Sequence, residues 1–164
     1  MSKDKDEVLV PNDQQQLEEV LYHIGLVRDN CTQLGKRLSM AGEDQLGLDL
    51  IALGLIHDVS KIQNHLEFKS LRRGLEGSEE FNAALLSHVT TNLHHPEAWN
   101  GIEEMPRLYV AEMVCDWKSR ATAFGTNLRD WIKNGACDRF NFSSKGRVYK
   151  EISEFVNMVC DKPF

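Results

Sequence analysis

GLDLIALGLIHDVSKI, residues 47–62, is almost continuously apolar until it meets an adjacent histidine and aspartate, His57 and Asp58. An apolar run of that length suits a helix buried in the centre of a domain. Two polar side chains at its end need a reason to be there, because burying an unpartnered charge is costly. A neutral imidazole and a carboxylate can share one divalent cation, and the cation offsets the cost of burying the acid. Lys61 follows Asp58 by three residues, so on a continuing helix it lies on the same side.

Outward from this stretch the pattern is helical. Before it, Leu17, Val20, Leu21, Ile24, Val27, Cys31, Leu34 and Leu38 recur at three- and four-residue spacing from about Gln14, and Gly42 breaks the run. Residues 1–13, polar and charged with Pro11 near their end, read as a flexible leader to a helical domain over 14–164. After it, a charged stretch from Phe68 to Glu80 with Gly74 and Gly77 reads as a helix end and loop. Residues 80–92 read as a helix that Asn92 and Pro96 terminate. Pro106 fits the first turn of the next helix, LYVAEMVCDWKSRATAF, and two more follow near 126–134 and 144–160. No alternating strand pattern of useful length appears, which predicts an all-α domain of about six to seven helices.

Further polar residues interrupt the apolar pattern. His23 lies between Val20 and Val27 on its own helix face, and His88, His94 and His95 form a cluster. On an unbroken helix His88 and His95 would sit about 20° apart around the axis and about 10 Å apart along it, a spacing for two neighbouring metals, with His94 pointing elsewhere. Pro96 ends that helix, so the choice between His94 and His95 stays open. Tyr109, Glu112, Asp116 and Arg120 make a polar stripe able to line a pocket, and Glu67 follows the His-Asp pair closely enough to support a ligand. Trp99 and Trp117 are the tryptophans nearest these residues in sequence. Taken singly, His23 reads as a core histidine, Asp116 as an ion-pair partner of Arg120, and Lys61 as a solvated lysine.

Their order changes that reading. A histidine, His-Asp 34 residues on, further histidines and a lone aspartate within AEMVCDW resemble the HD superfamily of metal-dependent phosphohydrolases. HDVSK is similar to the H-D-x-x-K form of the HD-GYP phosphodiesterases and of HD-type diiron oxygenases. HHPEAWNG followed by MPRLYVAEMVCD resembles the HD-GYP double histidine and the helix bearing the last aspartate, although no Gly-Tyr-Pro follows Gly101. The combination HDVSK, Glu67, His88, Asn92, His94, His95 and EMVCDW is also similar to a set of small bacterial and phage HD-like proteins.

The resemblance implies an HD-type fold and two divalent metal ions, with Mn, Fe or Mg as candidates. His23, His57, Asp58 and Asp116 would hold one ion, and Asp58 would bridge to a second on His88 and His94 or His95. It implies a phosphohydrolase acting on a nucleotide or other small phosphate ester, with Asp58 and Lys61 catalytic and Glu67, Glu112 and Arg120 supporting ligands or substrate. The alternatives are a diiron oxygenase of the same fold and a non-catalytic, metal-stapled nucleotide-binding module. A net charge of -6 argues against binding a nucleic-acid polymer, whose affinity comes from clustered Lys and Arg. The absence of a long apolar stretch and of a signal-peptide pattern predicts a cytoplasmic chain with no membrane contact, and the four scattered cysteines read as reduced thiols.

Overall fold

A computed structural model describes residues 12–160. Most of the expected leader, 1–11, lies outside the described residues. Helix α1 (Asp13–Met40) begins one residue before the expected Gln14. Asn12 caps it reciprocally with Gln15, each side chain accepting from the other's backbone N–H, which satisfies two of the orphan donors of the first turn.

The loop at Gly42 folds the chain back into α2 (Asp44–Ile56). The two helices touch backbone to backbone. A Cβ added at Gly47 would lie 2.4 Å from the Gly35 carbonyl oxygen, and one at Gly54 would lie 2.5 Å from the Cys31 Cβ. The expectation that this apolar run is a central buried helix is overturned: α2 buries Gly47, Leu50 and Gly54 against its neighbours, while Leu48, Leu55 and Ile56 are exposed. Glycine packing fixes the helix on one side and leaves the apolar residues of the other uncovered.

The central helix is α6 (Arg107–Phe124), which buries Val110–Asp116, Ser119 and Ala121 and packs on α1, α2 and α9 (Arg147–Val159). Pro106 is its N-cap and lies just before the helix, one position short of the expected first turn. The amphipathic α9 presents Val148, Ile152, Phe155, Val156 and Val159 to the same core. Arg107 ties three elements together, bonding Glu43 and Glu154 with its guanidinium 4.6 Å from the centre of the Phe155 ring.

Between α2 and α6 lie the short α3 (Ser60–Gln63) and α4 (His65–Ser70), the loop at 71–78, and α5 (Glu79–Thr91), whose N-cap is Ser78 and C-cap Asn92. Beyond α6 the helix expected near 126–134 runs further. α7 (Leu128–Trp131) passes through a π-helical turn, Ile132–Ala136, into α8 (Cys137–Phe140). With 60–70 and 128–140 each counted as one interrupted element, the described residues form seven helices and no strand. No helix among them is long and apolar enough to cross a membrane. All four cysteines are free.

Candidate metal centre

The His-Asp pair sits where the apolar helix stops. His57 is extended, with φ -53° and ψ 129°, and Asp58 takes a left-handed φ of 54° that few residues other than glycine, asparagine and aspartate tolerate. The resulting corner turns both side chains into the interior, each 2% exposed. It also corrects the expected continuous helix through Lys61. A turn, not a helix face, brings the Lys61 ammonium to 2.6 Å from Asp58 Oδ2.

Around Asp58 the structure gathers every metal-ligand candidate read from the sequence. Asp58 Oδ2 lies 3.5 Å from Nε2 of both His23 and His57. Asp58 Oδ1 lies 3.2 Å from His88 Nε2 and 3.6 Å from His94 Nε2. Asp116, from the middle of α6, places Oδ1 3.2 Å from His23 Nε2. Helix α5 ends at Thr91, so the geometry expected of an unbroken helix does not hold, and a turn closed by the His95 N–H donating to the Asn92 carbonyl brings both His94 and His95 inward. Their rings are 4.2 Å apart, and both group with Asp58 and His88.

The second nitrogen of most of these imidazoles is held from outside. His57 Nδ1 is 3.1 Å from Glu112 Oε1, and His94 Nδ1 is 3.7 Å from the same oxygen. His88 Nδ1 is 2.9 Å from Glu67 Oε1, which also accepts from the Ser60 hydroxyl. A carboxylate only accepts, so in each hydrogen-bonded pair Nδ1 carries the proton and Nε2 is the lone-pair donor facing inward. At His23 the partner is Ser119 Oγ, 3.2 Å away; that hydroxyl donates to the Asp116 carbonyl, so its oxygen is left to accept from Nδ1. Ser119 and Ser60 carried no signal in the sequence, since a lone serine on a helix is commonplace.

What converges is a set of atoms without hydrogen-bond partners. Nε2 of His23, His57, His88, His94 and His95, with Oδ1 of Asp58 and of Asp116, are buried and unsatisfied. Orphaned buried polar atoms are rare in folded proteins, and here they belong to five of the six histidines of the chain. Three overlapping groups have ligand atoms within 4.8 Å of one another: Asp58, His88, His94 and His95; His23, His57 and Asp58; and His57, His94 and Asp116. The donor set fits a metal, and this cluster can hold one.

The electrostatics fit as well. Burial opposes ionisation of Asp58, but Lys61 and the imidazoles of His23, His57 and His88 outweigh it and hold its carboxyl well below the usual range. Asp116 is held down likewise, chiefly by His23 and Arg120, against its own burial. Burial pushes His94 down to about 2 and His95 to about 4, which keeps both as neutral ligands. His57 goes the other way: burial lowers it, but Asp58 and Glu112 lift it to about 10, so in the metal-free chain its Nε2 also carries a proton, which a metal ion displaces on binding. Arg120, half exposed, reaches Asp116 at 3.4 Å and marks the outer edge of the cluster.

A protein-family profile described as a family of unknown function, DUF5662, matches residues 12–162. The chain belongs to that family. The match spans every helix described and every residue of the histidine and aspartate cluster. No curated protein and no solved structure matches the chain.

Two clefts flank the cluster. The larger, about 450 Å³, reaches it at His95 and Asp116. The smaller, about 250 Å³, reaches it at Lys61, His88 and His95, and Arg120 borders both. Of the two tryptophans expected here, Trp117 lines the larger cleft, whereas Trp99 packs on Tyr109 and donates to the Leu93 carbonyl. The second cleft tryptophan is Trp131, 4.6 Å from Trp117.

Proposed function

We propose that this chain is an HD-type metal-dependent phosphohydrolase acting on a nucleotide or another small phosphate ester. The observation that carries the reading is Asp58, whose two oxygens face different imidazoles, His23 and His57 on one side and His88 and His94 on the other. A carboxylate so placed suits a bridge between two cations. His23, His57 and Asp116 complete one ligand set, and His88 with His94 or His95 the other. Five imidazoles against two carboxylates make a nitrogen-rich set, which favours Mn or Fe over Mg. When bound, the two cations supply an acidified water and neutralise negative charge on a phosphoryl group.

The chain's own residues supply the rest. Glu112 and Glu67 orient His57 and His88 through Nδ1, which keeps their Nε2 atoms as donors of fixed direction. Lys61, only 14% exposed in its side chain, stands at the mouth of the smaller cleft, where its ammonium meets a phosphate oxygen and stabilises the charge that grows as the ester bond breaks. Arg120 faces the same point from α6 with a planar fork suited to a phosphate. A screen of nucleotides and simple phosphate esters with Mn- or Fe-loaded protein tests the reading. Phosphate release that a chelator abolishes is expected, and silence with every ester contradicts it.

One observation favours a second reading. The same nitrogen-rich set suits a diiron oxygenase of this fold, and Lys61 fits the lysine of that group too. Iron content, an absorption band under oxygen, and oxygen uptake with polyols or phosphonates separate the two.

A further inference from the structure

The geometry points to the larger cleft as a leaving-group subsite for a flat aromatic ring system, making the ligand a monophosphate ester of a base-sized aromatic group in preference to an aliphatic or sugar phosphate. This rests on the phosphohydrolase reading, which names nucleotides and other small phosphate esters, and narrows that range to esters whose phosphate is carried directly on an aromatic group.

Three observations carry it. First, one helix serves both ends. On α6, Asp116 belongs to the cluster, and Trp117, Arg120, Ala121 and Phe124 continue along the cleft at three- and four-residue spacing. From Asp116 to Phe124 the axis rises about 12 Å, the length of a phosphate joined to a bicyclic ring. Second, the wall is aromatic, its rings resting on the core behind them. Trp117 stacks on Phe140 at 5.6 Å with 12° between planes, Trp131 stands edge-on to both, and all three border the cleft. The chain brings Trp131 and Phe140 together across the π-helical turn, a local irregularity that recurs at functional sites. Third, Phe124 is 76% exposed at the end of α6 and still borders the cleft, so the core does not account for it. A ring at a cleft mouth is positioned to cover a flat ligand.

Charge sets the polarity of the ligand. Arg120 stands beside the cluster, where the phosphate of such a ligand reaches His95 and Asp116. Arg139, 5.3 Å from the centre of the Phe140 ring, gives the far wall a planar cation that stacks on aromatic surfaces. A cleft of about 450 Å³ lies within the range for small-molecule pockets.

The test uses 1-naphthyl phosphate, glycerol 1-phosphate and the neutral probe 1-naphthol, titrated calorimetrically into the full-length, chelator-treated protein and its Phe124→Ala variant. Because Phe124 is exposed, that variant folds as the parent does, which circular dichroism verifies. The expected result is that both naphthyl compounds bind tighter than glycerol 1-phosphate and that Phe124→Ala weakens both by about fivefold or more, as losing one stacking ring does. Equal affinity for the two esters, or a variant that binds the naphthyl probes like the parent, overturns the subsite. Phosphate release from the metal-loaded parent is read separately. Naphthyl binding with no release from any ester removes the hydrolase and leaves the subsite, whereas equal kcat/KM for the two esters removes the subsite and leaves the hydrolase.

Discussion

At Asp58 the left-handed backbone and the place of the carboxylate between two sets of imidazoles impose separate demands, and asparagine meets only the first. Asp58→Asn therefore folds to the parent's helicity yet loses bound metal and phosphate release together, a result that circular dichroism and elemental analysis of one sample check. Lys61 divides differently. Its ammonium touches Asp58 from outside the imidazole cage, so Lys61→Ala keeps its metal but lowers turnover about a hundredfold, and Lys61→Arg recovers part of the loss. Glu112 stands behind two imidazoles, His57 and His94, and Glu112→Ala lowers metal affinity by about 10- to 100-fold in a chelator competition assay. Much at this scale was legible, because an aspartate or histidine inside an apolar helical pattern needs a partner. His57 and Asp58 announced themselves that way, whereas His23 and Asp116 read singly as a core histidine and an ion-pair partner and stood out only through their place in the HD-like order. What could not be read was which of His94 and His95 faces inward, since that depends on where α5 frays, and both do.

At the scale of the element, periodicity placed α1, α5 and α6 within a residue or two, started α9 three residues early, and misjudged where α2 ends and what it is for. Its apolar run looked like a core helix, but Gly35, Gly47 and Gly54 dictate a backbone-close contact on one face, and apolar content by itself does not show which face is covered. The truly central α6 looked less apolar because it carries Glu112, Asp116 and Ser119 into the interior for the cluster. The glycine contact makes a paired prediction. Gly47→Ala forces a methyl against the Gly35 carbonyl and costs roughly 1–3 kcal/mol as overpacking. Gly25→Ala, on α1 with nothing within 4 Å of the new Cβ, gains about 0.5–1 kcal/mol from helix propensity. Thermal melts of the two variants should move in opposite directions from the parent.

For the whole molecule, the cluster ties α1, the α2–α3 corner, α5, the loop after it and α6 into one centre, so an ion held there couples to the fold. In metal-free protein the histidines set the pH dependence. Burial holds His94 and His95 at about 2 and about 4, below their ordinary 6.5, so the unfolded chain takes up protons that the folded chain refuses, and stability falls as pH drops below 6.5. His57, lifted to about 10, stabilises fully below 6.5, and that contribution is lost as pH rises towards 10. Chelator-treated protein is therefore most stable near pH 6.5 and melts lower on either side. Restoring metal at a hundred times its dissociation constant adds about 2.7 kcal/mol, or roughly 5–10 °C in Tm for a domain of this size. The most direct test of the central claim is the metal content of the purified chain and of Asp58→Asn, measured by inductively coupled plasma mass spectrometry after loading with Mn or Fe and desalting. The account predicts close to two ions per parent chain and fewer than one in the variant. A parent chain that retains no metal, or a variant that retains as much as the parent, contradicts it.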